Sequence, residues 1–377
     1  MMQKLGDIAT YINGYAFKPA DRGLKGLPII RIQDLTGNSY DLGFYDGIYP
    51  KKIEINNGDI LISWSGSLGI FLWNGGKALL NQHIFKVVFD KKDIDKHYFL
   101  FAVKEKLNEM SLKTHGATMK HIVKSDFENI TISLPDLNEQ KRISNMLLKI
   151  ENLINMRKNQ IQHYDTLTKS LFIEMFGDPK TNPKEWRKIP LSQIISKANN
   201  GMARRGNDEN GSIVLRLVEL QEGIIDYSKP NRILLTEKEK EKYLLQENDF
   251  LFARVNGNPL NVGRCAVFHS IGEAVYHNDH IIRVHFDDSM VNGVFASTIL
   301  NSEYGKDEMR NKIKTSAGQY TISQDGIGAI KTIVPPIYLQ NQFADFVAQV
   351  DKHKSVVQKS LDETQILFDS LMQKYFG

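Results

Sequence analysis

The chain is an imperfect repeat of one unit, and this repeat restricts the possible folds more than any other feature of the sequence. A Phe-Gly pair at 176–177 returns 200 positions later as the last two of the 377 residues. Upstream, NQHIFKVVF (81–89) matches NDHIIRVHF (278–286), and NGDILIS (57–63) matches ENDFLFA (247–253). The offset changes along the chain, so the two copies differ by insertions. We therefore expect two similar domains, each of which ends at a Phe-Gly pair.

The composition agrees with two soluble domains. A chain of 377 residues with 41% hydrophobic residues can bury two cores. The single cysteine, Cys265, cannot close an intrachain disulfide, and the first residues lack the apolar run of a signal peptide. No stretch approaches the roughly 20 apolar residues of a membrane helix. These features predict a cytoplasmic protein without a membrane partner, and the net charge of +4 permits a polyanionic partner without requiring one.

Each copy starts with a part that has the composition of a β core. Residues 4–134 and 188–334 contain short runs such as DILIS, HIFKVVF, DFLFA and HIIRVHF. Such runs are rich in β-branched and aromatic residues and are bounded by Gly, Asn and Asp, which is typical of strands. We therefore predict mixed α/β (α+β) globular domains with a β core.

Each copy ends in a long helical pattern without an interior Gly or Pro. Apolar residues recur at helical spacing in both stretches, at Ile143, Leu147, Ile150, Ile154, Ile161, Tyr164, Leu167 and Leu171, and at Phe343, Val347, Val350, Val357, Leu361 and Leu371. A helix of about 35 to 40 residues with one narrow apolar stripe needs a facing partner. The helix of the other copy is the natural partner, and two copies related by a pseudo-twofold axis would pair their helices antiparallel. We expect a coiled-coil rod that separates two globular heads.

This pattern predicts five segments. They are a first head (1–137), a first long helix (138–177), a proline-containing linker (178–187), a second head (188–337) and a second long helix (338–377). Gly177 is a natural helix C-cap, and the two prolines of DPKTNPKEW indicate a stiff connection.

The repeat, the helices and the linker together resemble the specificity subunits of type I restriction-modification systems. The residues that carry this resemblance are Pro135 and Gln140, Pro335, Pro336 and Gln340, the linker FGDPKTNPKEW, and the closing YFG. The resemblance covers essentially the whole chain. It implies that each head is a target recognition domain reading half of an asymmetric bipartite site in double-stranded DNA. It also implies that the helices set the spacing and bind two DNA adenine methyltransferase subunits, with restriction subunits in the full complex.

Two basic segments at matching places are candidates for DNA contact. VKEKLNEMSLKTHGATMKHIVK (103–124) and KDEMRNKIKTSAGQY (306–320) each run from Lys- or Arg-rich sequence into a turn of small residues. Polar turns on a β scaffold are common places for base contacts, and the flanking cations can neutralise phosphates. The simpler interpretation is a solvated amphipathic helix followed by an ordinary turn.

The loop after the NGDILIS strand and its counterpart form a second candidate surface. SWSGSLG (63–69) and ARVNGNPLNVGR (253–264) mix glycine with hydrogen-bonding side chains. Arginine can bind guanine edges or phosphates, and asparagine can reach adenine, although Asn-Gly is also a common tight turn. The candidate DNA-binding residues are Ser63, Trp64, Ser65, Ser67, Lys113, Thr114, Thr118, Lys120, His121, Arg204, Arg205, Arg254, Asn256, Asn258, Arg264, Lys314, Gln319 and Tyr320. By contrast, His83 and His280, which precede apolar strands, are interpreted as structural hydrogen-bonding residues.

Two motifs suggest an enzyme but fit a structural interpretation better. PDLNEQK (135–141) contains the carboxylate and lysine types of a nuclease site, yet these residues fall at a helix start, where Asp136 is a natural cap. VPPI (334–337) lacks the leading Asn or Asp and the aromatic residue of DNA amino-methyltransferases. We find no glycine-rich turn for S-adenosylmethionine and no phosphate loop for ATP.

We therefore predict a non-catalytic recognition subunit with no cofactor and no metal. The alternative from another class is a coiled-coil scaffold or adaptor whose heads bind protein. An enzyme with an unrecognised site is a third possibility that the missing cofactor motifs disfavour. The sequence does not determine the DNA target, because base recognition depends on the geometry of loops.

Overall fold

The structure is a computed structural model that describes residues 1–39, 41–113, 122–316 and 318–377. Its chain forms two compact units. The first unit contains residues 1–160 and 357–377, and the second contains residues 161–356. The boundaries of the units therefore fall inside the two long helices, and the domain limits drawn from the sequence stay a prediction.

The first copy contains ten short strands and four α-helices among the described residues. The strands are β1 (Met2–Lys4), β2 (Thr10–Asn13), β3 (Leu27–Ile30), β4 (Phe44–Tyr45), β5 (Glu54–Ile55), β6 (Ile60–Ser63), β7 (Gly69–Leu72), β8 (Ala78–Leu80), β9 (Ile84–Val88) and β10 (Thr131–Ser133). The helices are α1 (Ile32–Leu35), α2 (Lys96–Lys113), α3 (Lys124–Glu128) and α4 (Leu137–Phe176).

The second copy has a corresponding series. Its strands are β11 (Lys188–Pro190), β12 (Ile195–Asn200), β13 (Ser212–Leu215), β14 (Arg232–Ile233), β15 (Asp249–Ala253), β16 (Val255–Asn256), β17 (Cys265–Val267), β18 (Val275–His277), β19 (Ile281–Phe286), β20 (Lys314–Ser316), β21 (Gln319–Thr321) and β22 (Lys331–Ile333). Its helices are α5 (Glu237–Tyr243), α6 (Gly293–Leu300), α7 (Glu303–Arg310), α8 (Gln324–Gly328) and α9 (Ile337–Phe376).

The two copies have corresponding main sheets that differ in one edge strand. In the first unit, one sheet has the order β2-β9-β6-β7 and another has the order β4-β3-β8-β5, with β3 parallel to β8. In the second unit, the corresponding sheets have the orders β12-β19-β15-β17 and β14-β13-β18, with β13 parallel to β18. A short antiparallel pair, β1 with β10 or β11 with β22, closes each head beside its long helix. The mixed helix and sheet fold is thus confirmed, and the sequence repeat is a repeat of topology.

The core strands are buried on both faces, which explains why they read as continuous apolar runs. Ile60, Leu61 and Ile62 of β6 are at most 1% exposed, and so are Phe250 and Phe252 of β15. Candidate DNA-binding residues directly follow β6 and β15. Because these strands are buried, they fix the position at which each of the two loops begins.

The start of α4 has the structural role that the sequence predicts for Asp136. One carboxylate oxygen of Asp136 accepts the backbone N–H groups of Asn138 and Glu139, both at 3.0 Å. This is the geometry of a helix N-cap. The carboxylate of Glu139 instead binds the guanidinium of Arg142 at 2.6 Å.

Gln140 and Gln340 fasten each long helix to its own head. The side-chain amide of Gln140 donates to the Pro135 carbonyl at 2.8 Å, and its oxygen accepts the backbone N–H of Asp95 at 2.9 Å. Gln340 repeats both bonds, since its amide donates to the Pro335 carbonyl at 2.8 Å and its oxygen accepts the N–H of Asn292 at 2.9 Å. Both glutamines are at most 2% exposed. The Pro and Gln positions that recur in the sequence therefore form the junction between helix and head.

The first Phe-Gly pair ends α4 and anchors it. Gly177 has a φ of 76°, in the left-handed region, and its N–H donates to the Ile173 carbonyl at 2.8 Å. A side chain at this position would also lie 2.7 Å from the ring of Pro183. A glycine C-cap satisfies both demands.

The phenylalanine of each pair fills the core of a head. In the second unit, the ring of Phe176 lies 4.9 Å from that of Phe295. In the first unit, the ring of Phe376 lies 5.1 Å from that of Tyr98. Tyr98 and Phe295 each lie three residues after the backbone N–H that the junction glutamine binds. The Phe-Gly pair recurs because each long helix ends on the same aromatic position of a head.

The long helices pair antiparallel within the first unit. Near the start of α4, Arg142 contacts the hydroxyl of Tyr375 at 3.4 Å. Four turns later, the guanidinium of Arg157 donates to the Ser360 carbonyl at 2.6 Å and also to the Thr364 hydroxyl. Residue numbers thus rise along α4 while they fall along α9.

The second unit contains an antiparallel pairing of its own. Asp165 of α4 and Lys354 of α9 form an ion pair at 2.5 Å. Further along α4, the ring of Phe172 lies 5.5 Å from that of Phe343. The predicted antiparallel pair of helices is therefore present in both units.

Near the C-terminal ends of the long helices, the buried residues differ from those that the sequence predicts. Ile143, Leu147, Ile150 and Ile154 are buried as expected. Leu167 has the right spacing but is 46% exposed. The buried residues at the ends are instead aromatic residues and a methionine, namely Phe172, Phe176, Phe368, Met372 and Phe376. Their side chains enter the heads as well as the helix pair.

His277 of β18 is expected to make the protein sensitive to acid. It is fully buried, and burial together with the charge of Arg283 lowers its pKa to about 3. Tyr243 also faces it, with its carbonyl 3.3 Å from Nδ1 and its ring in an edge contact, and so does the backbone of Asn199. The first head has Leu80 at the corresponding place of the parallel pair.

Because the pKa of His277 is depressed in the folded state, its stabilising effect is complete above about pH 6.5 and is lost as the pH falls towards 3. We expect this group to remove about 2 kcal/mol of stability between pH 7 and pH 5. The variant His277→Leu should show a smaller drop in melting temperature over that range. The matched control is His163→Leu, which changes an exposed histidine on α4. An equal drop in wild type and His277→Leu would contradict the assignment.

Candidate nucleic-acid interface

A three-stranded sheet in the second unit brings several candidate residues together. Its strand order is β16-β21-β20, with Asn256 opposite Tyr320 and Lys314 opposite Thr321. Gln319 begins the central strand, and Gly318 before it has a φ of 78°, as a hairpin turn requires. We call this surface the β16–β21–β20 sheet. It carries one cation and amide, phenol and hydroxyl groups, which are the side-chain types that contact bases and phosphates.

Arg254 and Arg205 extend this surface at its base. Arg254 directly precedes β16, and its guanidinium donates to the Asp279 carbonyl at 3.1 Å. Arg205 binds the carboxylate of the same Asp279 at 2.7 Å and lies 3.2 Å from Nε2 of His280. Two guanidinium groups thus share one carboxylate residue, which leaves this cluster with a positive balance.

An open groove of about 300 Å³ continues from Arg205. It is lined by Arg204, Arg205, Gly206, Asn207, Val214, Arg216, Asn231, Ile233 and Asn278. Arg204 binds Glu239 at 2.8 Å, and this pairing lowers the pKa of Glu239 to about 2. Arg216 binds Glu219 at 2.5 Å. Since Arg205 is paired with Asp279, carboxylates hold all three lining arginines in fixed orientations, which makes the groove polar and almost balanced in charge.

Two candidate residues of the second unit have internal roles. The guanidinium of Arg264 donates to the Leu217 carbonyl at 2.5 Å and lines a small cavity with Glu222, Lys306 and Met309. Its burial lowers its pKa, which costs the charged form some stability. Asn258 accepts the N–H of Leu260 at 3.0 Å and so caps a short helical turn. Neither side chain joins the β16–β21–β20 sheet in this structure.

In the first unit, the serine-rich loop is partly internal. The hydroxyl of Ser63 is fully buried and donates to the Ser67 carbonyl at 2.5 Å, which closes the turn between β6 and β7. Ser65 is buried as well, whereas Ser67 is exposed. Ser67 is therefore the serine of this loop with the most accessible side chain.

Trp64 occupies a well-defined place directly after β6. Its backbone N–H donates to the His83 carbonyl at 3.1 Å, and its carbonyl accepts the N–H of Ile122 at 3.0 Å. The indole N–H donates to the Asn13 side chain at 3.2 Å, and the ring stacks on Phe85 with centroids 5.7 Å apart.

Arg254 has the same backbone environment as Trp64. Its N–H donates to the His280 carbonyl at 2.7 Å, and its carbonyl accepts the N–H of Ile322 at 2.9 Å. Both residues directly follow the central strand of a four-stranded sheet, β6 or β15. Trp64 and Arg254 are thus equivalent positions of the two heads.

The remaining candidates of the first unit fall in its basic segment. Thr114, Thr118, Lys120 and His121 lie outside the residues that the structure describes, as does the side chain of Lys113 at the end of α2. Their contact with DNA stays a prediction. The described residue that follows the segment, Ile122, makes the same bond as Ile322, which follows the hairpin β20–β21 in the second head.

The sequence interpretation missed two residues of the interface. Asp279 holds both Arg205 and Arg254, and His280 lies beside Arg205. The repeat contains a signal for them, because NDH (278–280) matches NQH (81–83) with an acidic residue in place of a glutamine. That change marks a difference between the surfaces of the two heads.

The helix pair presents apolar side chains at positions that repeat between the copies. Met156 and Val356, 200 positions apart, are 57% and 63% exposed. Leu167 and Leu367, also 200 positions apart, are 46% and 50% exposed. The exposed apolar positions of the helix pair therefore repeat between the two copies.

None of the helices in the described part of the chain is long and apolar enough to cross a membrane. Within the same residues, no group of three or more His, Cys, Asp or Glu side chains is arranged to hold a metal ion.

Comparisons with known proteins find similar sequences and folds. The family model of the type I restriction modification DNA specificity domain matches residues 1–163. The StySPI specificity subunit of Salmonella potsdam is 27% identical, with 97% of this chain and 85% of that protein covered. The MjaVIII specificity subunit of Methanocaldococcus jannaschii is 25% identical, with 96% and 88% covered. Both are named as subunits of type I restriction enzymes.

Solved structures agree in fold. The S subunit of a type I restriction-modification system from M. genitalium matches with a TM-score of 0.62 and 15% identity over 100% of this chain and 96% of that one. A chain solved in work on complex assembly and conformational transition of the type I R-M system has a TM-score of 0.57, with 14% identity and 100% and 97% covered. The chain is therefore similar over nearly its whole length to specificity subunits of type I restriction-modification systems, and its first 163 residues match the DNA specificity domain of that family.

Proposed function

We propose that each head reads one half of an asymmetric bipartite site in double-stranded DNA and that the long helices set the spacing of the two halves. The observation that carries this proposal is the β16–β21–β20 sheet, where Asn256 and Tyr320 share one face, Lys314 lies on the other face, and Arg205 and Arg254 adjoin. Cations next to base-reading amide and phenol groups are what a duplex surface requires.

Different half-sites follow from the different loops on one scaffold. The first head has SWSGSLG and the segment around residues 113–121, whereas the second has ARVNGNPLNVGR and a hairpin. The loops of the first pair begin at the ends of the equivalent strands β6 and β15, and those of the second pair begin after helices α2 and α7. They therefore present different side chains to the duplex from corresponding places. We therefore expect an asymmetric recognition sequence interrupted by bases that are not read.

The experiment is binding to duplex DNA at several salt concentrations, with and without methyltransferase subunits, combined with mapping of adenine methylation in cells. A recognition subunit should bind with a strong salt dependence and methylate one bipartite sequence. A scaffold or adaptor, the alternative function, would show no sequence preference. That result would refute the proposal.

We further propose that the catalytic activities reside in partner subunits and that the complex acts in the cytoplasm. The partners would be two DNA adenine methyltransferase subunits and, in the full complex, restriction subunits. The support is the repeat itself, since each copy has its own junction, at 135–140 and 335–340, and its own exposed apolar positions on the helix pair. Two copies of one surface fit two copies of one partner.

We expect two methyltransferase subunits for each chain, measured as the mass of the purified complex. A charge on one exposed apolar position should weaken one of the two contacts. Met156→Glu and Val356→Glu should each release one methyltransferase subunit at concentrations where wild type holds two, with a loss of affinity of roughly 10-fold or more. The double variant should lose both.

The matched control is Lys158→Glu, which places the same side chain at an exposed polar position of α4. It should keep both methyltransferase subunits. A wild-type complex that never exceeds one methyltransferase subunit, or two single variants that lose both subunits together, would contradict the model of two similar surfaces.

A further inference from the structure

The two heads present different side chains from one backbone position. Trp64 and Arg254 each follow a central strand, and each is bound through its N–H to a histidine carbonyl and through its carbonyl to an isoleucine N–H. The four hydrogen bonds are between 2.7 and 3.1 Å. Since the backbone is fixed on both sides, the Cα–Cβ bond leaves the scaffold at the same place in each head.

We propose that this position determines base specificity, with Arg254 taking the edge of a guanine in the second half-site and Trp64 giving the first half-site a different preference. This inference rests on the proposed function, because it assumes that the heads read DNA. Beyond the proposed function, the inference names the backbone position whose side chain distinguishes the two half-sites. It also names the base that the second head requires there.

The guanidinium of Arg254 is oriented but not neutralised. It donates to the carbonyl of Asp279 at 3.1 Å and forms no ion pair with any carboxylate of the described residues. Arg204 and Arg216 nearby are each paired with a glutamate, as structural arginines usually are. Arg254 therefore keeps N–H donors for a ligand, and two parallel donors match O6 and N7 of guanine in the major groove.

The side chain of Trp64 has different chemistry. An indole has one N–H donor, and that of Trp64 already donates to Asn13 at 3.2 Å. Its ring is supported by Phe85 on one side. Trp64 therefore offers an apolar surface, which can contact a thymine methyl group but cannot make the paired hydrogen bonds that guanine accepts.

The neighbours of Arg254 suit base contact rather than phosphate contact alone. Asn256, two residues later, lies opposite Tyr320 in the β16–β21–β20 sheet. Both side chains can hydrogen-bond base edges. Arg205 adds a second cation on the other side of Asp279. Arg254 therefore has polar neighbours that can contact the same base pair. The nearby cation Arg205 can contact the phosphate of that nucleotide.

The test uses the full complex with its methyltransferase subunits and the variant Arg254→Gln. Methylation rates are measured on duplexes in which each base of the recognition sequence is changed in turn. We expect the preference for guanine at one position of the second half-site to fall by roughly 10- to 100-fold, with the first half-site unchanged. The control is Arg232→Gln, whose side chain binds Glu273 and the Gly211 carbonyl, and it should keep the full preference.

An equal loss of affinity for all sequences, with a salt dependence reduced by about one phosphate contact, would show that Arg254 binds phosphate and would overturn the proposal. An unchanged preference in an assembled Arg254→Gln complex would overturn it too. If that variant fails to assemble, Arg254→Lys keeps the charge and should still weaken the preference for guanine, and no change there would be decisive against it. Failure of the proposed function is a separate result, because the wild-type complex would then show no sequence preference.

Discussion

The substitution Leu147→Asp is expected to lower the free energy of unfolding by about 4 kcal/mol, because it places a charge without a partner among buried apolar side chains. Leu147 is fully buried on α4, between the contacts of Arg142 and Arg157 with α9. Ile143 and Ile150 are buried on either side of it. Loss of this stripe should also release the methyltransferase subunits, since their proposed surface is built on the helix pair.

The measurements are chemical unfolding and the mass of the complex. Lys158→Asp introduces the same side chain at an exposed position of α4 and should change stability by less than about 0.5 kcal/mol. Val347→Asp, at a half-buried position of the second unit, should lie between the two. If Leu147→Asp kept wild-type stability and assembly, the pairing of the helices would not depend on this stripe.

The sequence predicts the helices well because their signals are local. Asp136 caps α4 and Gly177 ends it, and both roles follow from residue type and position alone. The same reasoning fails for Leu167, which has the spacing of a buried residue but is half exposed. Periodicity places a side chain on one face of a helix, whereas burial depends on what packs there. Near the helix ends, the residues that cover the helix belong to the heads. The fold of the heads cannot be predicted from the helical pattern.

The candidate interface shows a similar division. The sequence identifies Arg254, Asn256, Lys314 and Tyr320 as polar residues in loops. It does not show that the last three belong to one sheet next to Arg254, because β16 pairs with β21 across more than 60 residues. The sequence predicts DNA contact for Arg264 as well as for Arg254, since both flank the same loop. The structure separates them, because the Arg264 side chain turns inward to the Leu217 carbonyl. The direction of a side chain is set by strand register, which residue type does not reveal.

A chain that carries its first head twice should recognise a target that contains the first half-site twice. The design replaces residues 188–334 by residues 2–134. The seams are equivalent, because Met2 pairs with Ser133 as Lys188 pairs with Ile333. The incoming head also brings the N–H of Asp95, which Gln340 of the retained helix can bind as Gln140 does in the first copy. The aromatic position for the retained Phe-Gly pair comes with it as well, since Tyr98 corresponds to Phe295.

We expect methylation of the original site to fall by about 1,000-fold in this chain, since one half of the specific contacts is lost, while sites with the first half-site in both places become substrates. The matched control is the reverse exchange, in which residues 188–334 replace residues 2–134 and the second half-site should appear twice. Methylation mapping of both complexes gives the result directly.

If either exchange changed both half-sites, the heads would not read independently. If the original target persisted in both, sequence recognition would lie outside the exchanged residues. Independent reading is the physical expectation, because each head has its own sheets, its own core and its own glutamine junction, so a change in one leaves the scaffold of the other intact.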